Sequence, residues 1–567
     1  MKLNNIPAGR IITGGILLAS IAYALFYFNY FETPTGDYIG NIREPVLEYM
    51  KGNFPGENYK FLPFYPLLLS ILTKLNPVET GDPVYQTAIL LNFALLVPYL
   101  ILVFFMYRRF LSEKAALAAL LFLGVNVYTV YMAINAELEM ILSLLIILSL
   151  STTLRDSKLS YAGAFFTAIT KWDSVFIIPA VMFRDFFYRK RRIFAFILGI
   201  LATTGVALWL ILSFVHTSGH PYMSEIAHRG PNIYRYIIDC FLVTGGFIQW
   251  MAAHAWFSDD IRVTITLLAF LFIPAAIILT GVIWGAILIW KQKRRDFAPV
   301  FVFFAGFLLI HIIYQNTKDR YVMPILWILT LFLFCGLSEG MAPWIGKKFS
   351  RLSPKTQAIM RMSLIMAAGI MYVISITAVI REDTPIHFVF ALAFTILMTA
   401  VVLYGNGNKD TINNSILILV CGLLINLSVF YGVRALDHHG LSRVEFKKAA
   451  LWYKDHAAPA DKMLISETNV PKYYTGFSDD KFTVSYFIKG KTINELIPEL
   501  AAMKVTYVFV DDFYIRRLPI KDPNAIDRRV WVFKEIRDNG VRSGHFRLIE
   551  TFHTKGGITS YLYRFVP

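Results

Sequence analysis

With 567 residues, 56% of them hydrophobic and only 17% charged, and a mean hydropathy of +0.53, the chain lies outside the composition of ordinary soluble domains and reads as an integral membrane protein. Its net charge of +16 does not point to nucleic acid, because Lys and Arg fall in short clusters between apolar runs and form no single basic face. Cys240, Cys335 and Cys421 are far apart, two of them inside apolar runs, which excludes a disulfide framework and a thiolate metal site.

The first apolar run, 11–31, is longer than the hydrophobic region of a secretory signal and long enough to span, so the segment is expected to be an uncleaved anchor despite "AYA" at Ala22 to Ala24. Further runs are predicted near 86–107, 114–133, 137–154, 159–170, 174–187, 193–214, 263–290, 298–315, 321–338, 361–380, 385–404 and 413–433, about thirteen spans in all. The stretch 160–192 reads either as one long helix or as two short ones joined at Lys171, Trp172 and Asp173. Charge favours two. With the N-terminus cytoplasmic, "YRRFLSEK", "RDSK", "KQKRRD", "GKKFSRLSPK" and "GNGNKD" lie inside, and "RKRR" at Arg189 to Arg192 joins them only if the stretch is broken. This arrangement puts about 22 Lys and Arg inside against about 11 outside, and turns Lys171 outward.

An odd number of spans places 436–567 outside as a soluble domain, distinct from a transmembrane domain over 1–435. Its helical "RVEFKKAALWYKDH" and "TINELIPELAAM" alternate with strand-like "DKMLIS" and "VTYVFVDD", the pattern of a small α/β fold. Two outer loops are long. Residues 32–85 contain a helical "YIGNIREPVLEYMKG" and an apolar "KFLPFYPLLLSILTKL" of interfacial length, and 216–262 is amphipathic. Ionisable groups are nearly absent from the middles of the spans and gather on the outer side: Asp37, Arg43, Lys60, Glu137, Glu139, Lys171, Asp173, His228, Arg229, Lys318, Asp319 and Arg320. Any chemistry is therefore expected at the outer surface.

An acidic residue just after the first span (Asp37), the Pro-rich "FLPFYPLLL", the acidic pair of "NAELE" (Glu137, Glu139), the "AITKWDS" turn with Lys171, and "HIIYQNTKDRYVMP" with His311, Arg320 and Tyr321 follow one another in an order that resembles the GT-C membrane glycosyltransferases. Within these it is similar to the group of protein O-mannosyltransferases and lipid A aminoarabinose transferases, and thirteen spans followed by an outer domain resemble the latter's layout. The chain departs from both branches, with Tyr38 after Asp37 and "KFLPFYP" where the aminoarabinose branch has a Lys directly before a Pro pair, so neither substrate is carried over.

The resemblance implies transfer of a sugar from a polyprenyl phosphate, a dolichyl-phosphate-mannose-like donor, to a protein, lipid or surface-glycan acceptor, with inversion, at the outer face of a plasma membrane. A phosphate leaves readily without an acid, so the enzyme has to activate the acceptor hydroxyl and stabilise developing negative charge. Asp37 is the implied general base; as a residue it reads equally as the N-cap of the following helix. Lys60, Lys171 and Arg320 are the candidate phosphate ligands, against the ordinary alternative that basic side chains at span ends snorkel to the headgroups. Glu137, Glu139 and Tyr321 are candidates for orienting the acceptor, His228 and Arg229 (with Tyr222 near by) for a lid, and His311 reads first as a buried core histidine. No metal cluster is evident, so no cofactor is expected beyond the lipid-linked donor, and a divalent ion is not indicated. Two other readings use the same features: a transporter or flippase of a polyprenyl-linked or amphipathic substrate, and a scaffold whose outer domain binds a partner.

Overall fold

The computed structural model describes residues 8–28, 31, 33–55, 62–75, 82–216, 233–246, 261–313, 319–349, 444–511, 528–553 and 559–567, with scattered positions between 351 and 429 and Ile515. They belong to two compact units, the first made of 1–28, 44–252 and 265–435 and the second of 29–43, 253–264 and 436–567.

The first unit is helical: α1 (Ala8–Phe26), α2 (Glu44–Lys51), α3 (Phe64–Leu75), α4 (Pro83–Phe110), α5 (Glu113–Val125), α6 (Val127–Ile134), α7 (Glu139–Leu154), α8 (Leu159–Ala168), α9 (Ile177–Phe183), α10 (Arg192–His216), α11 (Ile233–Gly245), α12 (Ile261–Ile313, two helices in succession, broken at Lys293), α13 (Leu326–Cys335) and α14 (Ala342–Phe349). Among the described residues six helices are long and apolar enough to cross a membrane, and a seventh if the bent pair α5 and α6 counts as one. The chain is thus a polytopic α-helical membrane protein with a C-terminal α/β domain. The spans expected near 361–380, 385–404 and 413–433 lie largely outside the described residues.

Three expected spans are irregular, each for a local reason. The run 114–133 bends by 57° at Asn126. That side chain accepts from Tyr128 N to cap α6 and donates to the Val243 and Thr244 carbonyls at the end of α11, so a hydrogen-bonding group inside an apolar run ends one helix and begins another. The runs at 159–170 and 174–187 are two arms of a hairpin. At its base Arg184 Nε lies 2.8 Å from Asp156 Oδ1, and Tyr161 donates to Asp185 at 3.0 Å. At about 1.5 Å per residue the ten-residue α8 is roughly 15 Å long, half the hydrocarbon thickness, so this arm is too short to cross alone. The tip of the hairpin carries Lys171. Elsewhere close packing of two spans depends on Gly281 and Gly285 in α12, where a Cβ would overlap Leu333 or the Phe332 carbonyl; small residues four apart let two helix backbones touch.

The second unit is built on a five-stranded sheet in the order β2-β1-β3-β5-β4, with β1 (Met463–Ile465), β2 (Phe482–Val484), β3 (Tyr507–Val510), β4 (Phe546–His553) and β5 (Thr559–Phe565). β1 pairs parallel with β2 and β3, and β5 runs antiparallel to β3 and β4. Helices α15 (Val444–His456), α16 (Asn469–Thr475), α17 (Ile493–Ala502) and α18 (Arg528–Glu535) complete it. Leu464, Leu496, Leu500, Val508, Phe533 and Phe546 form its core. Gly476, at φ +71°, closes α16 in the left-handed conformation that a residue with a Cβ takes up only with strain.

Candidate active site

The turn 135–138 between α6 and α7 is held by backbone contacts that its sequence neighbours do not supply. Asn92, buried in α4, donates to the carbonyls of Asn135 and Glu137, each at 2.6 Å, and Tyr65 donates to that of Ala136 at 3.2 Å. Three successive carbonyls are thereby satisfied away from water, where leaving one unpaired costs about 1–3 kcal/mol. This fixes the direction of both acids. Glu137 accepts from the Tyr131 hydroxyl at 3.1 Å and faces Arg320 Nη1 at 3.3 Å, while Glu139 opens α7 and faces Lys171 at 3.6 Å.

Lys171 reaches this turn from the tip of the hairpin. Its ammonium lies 3.2 Å from Asp173 Oδ2 and 4.6 Å from the centre of the Tyr321 ring, and Arg320 approaches the same ring at 5.3 Å. His311 stacks on Tyr321 and Tyr236, at 5.2 and 5.0 Å between ring centres, with Nε2 3.1 Å from Asp173 Oδ2. Glu137, Glu139, Lys171, Arg320 and Tyr321 are therefore brought together, and with them three residues that the sequence reading did not place in the site: Asp173, Tyr131 and Asn92. The signal for Asn92 was an amide within the long apolar run of α4; Asp173 stood in the quoted "AITKWDS".

The cluster is dry. Glu137, Glu139, Lys171 and Asp173 are 3–8% exposed, so a charge on any of them stands only where it faces an opposite one. Burial pushes the Asp173 carboxyl up, but the Lys171 ammonium outweighs it and holds the group below the ordinary carboxylate range. For Lys171 burial pulls down and Asp173 with Glu139 outweigh it, leaving the amine above its usual value. Both are charged at neutral pH. Glu139 Oε2 and Asp173 Oδ1 are buried without a hydrogen-bond partner among the described residues, which makes them acceptors suited to hydroxyl groups of a ligand. Lys171 and Arg320, expected to await a phosphate, already face carboxylates. Beyond Asp173, α9 and α10 enclose an apolar cavity of about 390 Å³ lined by Val175, Phe176, Pro179, Met182, Phe196 and Ile200. Among the described residues no group of three or more His, Cys, Asp or Glu has an arrangement that would hold a metal ion.

Asp37 belongs to the second unit. It sits in the first turn of a helical stretch, Gly36–Tyr38 continuing as Ile39–Arg43, and the N-cap is Thr35, whose hydroxyl accepts from Tyr38 N at 3.1 Å. The capping role weighed for Asp37 thus falls to its neighbour. The Asp37 side chain is half-buried and accepts from Asn41 Nδ2 at 3.4 Å. The stretch is seated on the C-terminal domain at the carboxyl end of β1, where Asn469 Nδ2 donates to the Gly36 carbonyl at 3.1 Å and Arg43 lies over the Tyr473 ring. A Cβ on Gly36 would come 2.6 Å from Glu467 Oε1, an atom already accepting from the backbone of Asn469 and Val470. Lys60, Tyr222, His228 and Arg229 lie outside the described residues.

No family model matches the chain, and no curated protein matches it by sequence. In structure it is similar to ArnT from Cupriavidus metallidurans bound to undecaprenyl phosphate, at 13% identity over 97% of each chain with a TM-score of 0.47. It is also similar to an oligosaccharyltransferase from Archaeoglobus fulgidus tethered to an acceptor peptide, at 10% identity over 96% of this chain and 73% of that one, TM-score 0.46. Both neighbours are GT-C fold glycosyltransferases. At such identities and TM-scores the likeness decides neither substrate nor mechanism, which rest on the residues.

Proposed function

We propose that the chain transfers a sugar from a polyprenyl-phosphate-linked donor to a protein, lipid or glycan acceptor at the outer face of a plasma membrane, with inversion. The observation that carries this reading is the meeting of Lys171 and Arg320 at one aromatic ring, among three buried carboxylates, two of which, Glu139 and Asp173, have an open oxygen suited to sugar hydroxyls. An arriving phosphate competes with Glu137, Glu139 and Asp173 for the two cations. As the glycosidic C–O bond breaks, the electron pair passes to the phosphate oxygen, and cations held in a poorly hydrated site stabilise that charge strongly. The apolar cavity that begins at Val175 and Phe176 gives the isoprenoid chain a dry wall. Asp37 takes the proton of the acceptor hydroxyl as its oxygen attacks the anomeric carbon, a contribution of about 10²–10⁴ in rate for a positioned base. Lys60 is a further phosphate ligand, and His228 and Arg229 close over the site. The N-terminus is cytoplasmic, and the active site and the C-terminal domain are extracytoplasmic.

The test is sugar release from radiolabelled polyprenyl-phosphate sugars, beginning with undecaprenyl phosphate as the lipid because the ArnT neighbour binds it, by purified protein with crude membrane acceptors. Turnover by the wild type that is lost in Asp37→Asn while donor binding survives supports the assignment. Donor binding without turnover in every pairing points to a transporter instead. A divalent requirement shows as turnover lost to a chelator.

A further inference from the structure

Helix α7 carries Glu139 at its start and Arg155 just past its end, so its far end lies about 24 Å from the cluster described above. There the ends of α4 and α7 enclose a second cavity, of about 340 Å³. Arg108, Arg109 and Arg155 line its polar side with Ser151, and Phe105, Met106 and Leu154 line the other. The cations are poorly neutralised. Arg108 faces Glu113 at 3.9 Å, and Arg109 faces Asp296 at 3.4 Å, a carboxylate that Arg184 shares at 3.5 Å. Arg155 has no ionic partner among the described residues, and the buried Nε of Arg109 has no hydrogen-bond partner there. Lys293 adds a further positive charge by donating to the Arg109 carbonyl at 3.1 Å.

Helix dipoles and snorkelling account for basic residues at span ends, but not for a cavity between three of them. At about 30 Å³ per water the space would hold roughly eleven waters, more than a bare phosphate needs. Guanidinium groups bind phosphate oxygens bidentately, and basic pockets between membrane helices suit anionic headgroups. We infer that this cavity binds the headgroup of an anionic phospholipid, its phosphodiester on the arginines and the first carbons of its acyl chains on Phe105 and Leu154. The inference is independent of the reaction proposed above.

Native mass spectrometry of the full chain in detergent, titrated with phosphatidylglycerol or phosphatidylcholine, tests it. The wild type should retain phosphatidylglycerol at lower lipid concentration than phosphatidylcholine. Arg155→Gln should reduce that preference about fivefold and Arg108→Gln with Arg155→Gln about 30-fold, both side chains being exposed and outside the catalytic cluster. Equal retention of the two lipids by the wild type, or an unchanged preference in the double variant, overturns the assignment. If the double variant does not fold, the single one carries the same test. Inorganic phosphate that protects the wild type from heat as well as the lipid does would show a simple anion site and overturn the lipid claim.

Discussion

Replacing Lys171 by Met keeps most of the side chain's volume and removes the charge on which two buried acids depend. At an effective dielectric constant of about 20, Coulomb's law gives roughly 5 kcal/mol for the contact with Asp173 at 3.2 Å and slightly less for that with Glu139 at 3.6 Å. Most of this offsets the desolvation of the ions, so the net worth of the group is far smaller. Removing one partner nevertheless leaves the others buried and unpaired, which costs about 3–5 kcal/mol. Lys171→Met should therefore lower the unfolding free energy of the detergent-solubilised protein, measured by urea titration, by that amount. Adding Asp173→Leu takes away the acid that makes the shorter of the two contacts with Lys171 and should restore about half of the loss. A coupling energy of about 2 kcal/mol in this double-mutant cycle is the expected result. A cost below about 1 kcal/mol for the single variant, or two effects that simply add, would refute the view that the cluster is dry and mutually compensated.

The same pair sets a pH dependence. Asp173, held below its ordinary value, contributes stability that is present above about pH 4 and lost as pH falls through its lower folded value; Lys171, held above its own, contributes stability present below about pH 10 and lost as pH rises through its folded value. Melting scans of the wild type at pH 5 and 7 should not differ on account of this pair, whereas in Lys171→Met burial is opposed on Asp173 only by the His311 contact, so its folded value should rise and the loss of stability on acidification should begin at higher pH than in the wild type. Gly36→Ala would drive a methyl against Glu467, which cannot withdraw without releasing two backbone donors, so the turn carrying Asp37 should shift and sugar transfer fall at least tenfold with donor binding unchanged. Adding Glu467→Ser, which shortens the obstacle and can still cap α16, should restore transfer; a Gly36→Ala protein as active as the wild type would show that this seat is not critical. Asn92→Leu should cost about 2–6 kcal/mol in thermal or urea unfolding by freeing the two carbonyls of Asn135 and Glu137, and an Asn92→Leu protein of wild-type stability would mean that the turn is held by other means.

Much of this was legible in the residue order. Apolar runs long enough to cross a bilayer, with basic clusters between them, determine a polytopic chain, because the cost of burying charge and unpaired backbone in hydrocarbon acts on composition before any tertiary contact forms. The alternating pattern of 436–567 likewise marked out α15, β1, α17 and β3, whose short-range periods follow from helix and strand geometry alone. What pattern could not show were partners distant in sequence. That Thr35 and not Asp37 caps its helix depends on a single local rotamer, while the seating of Gly36 against Glu467 joins residues at opposite ends of the chain. Snorkelling and site-forming lysines look alike in a sequence, since both stand at the end of an apolar run. Only folding brings α6, α7, the hairpin tip and the Arg320 turn together, so that Lys171 and Arg320 meet Glu137, Glu139 and Asp173 out of water, where charges must be paired to exist and their pairing is decided by geometry in three dimensions.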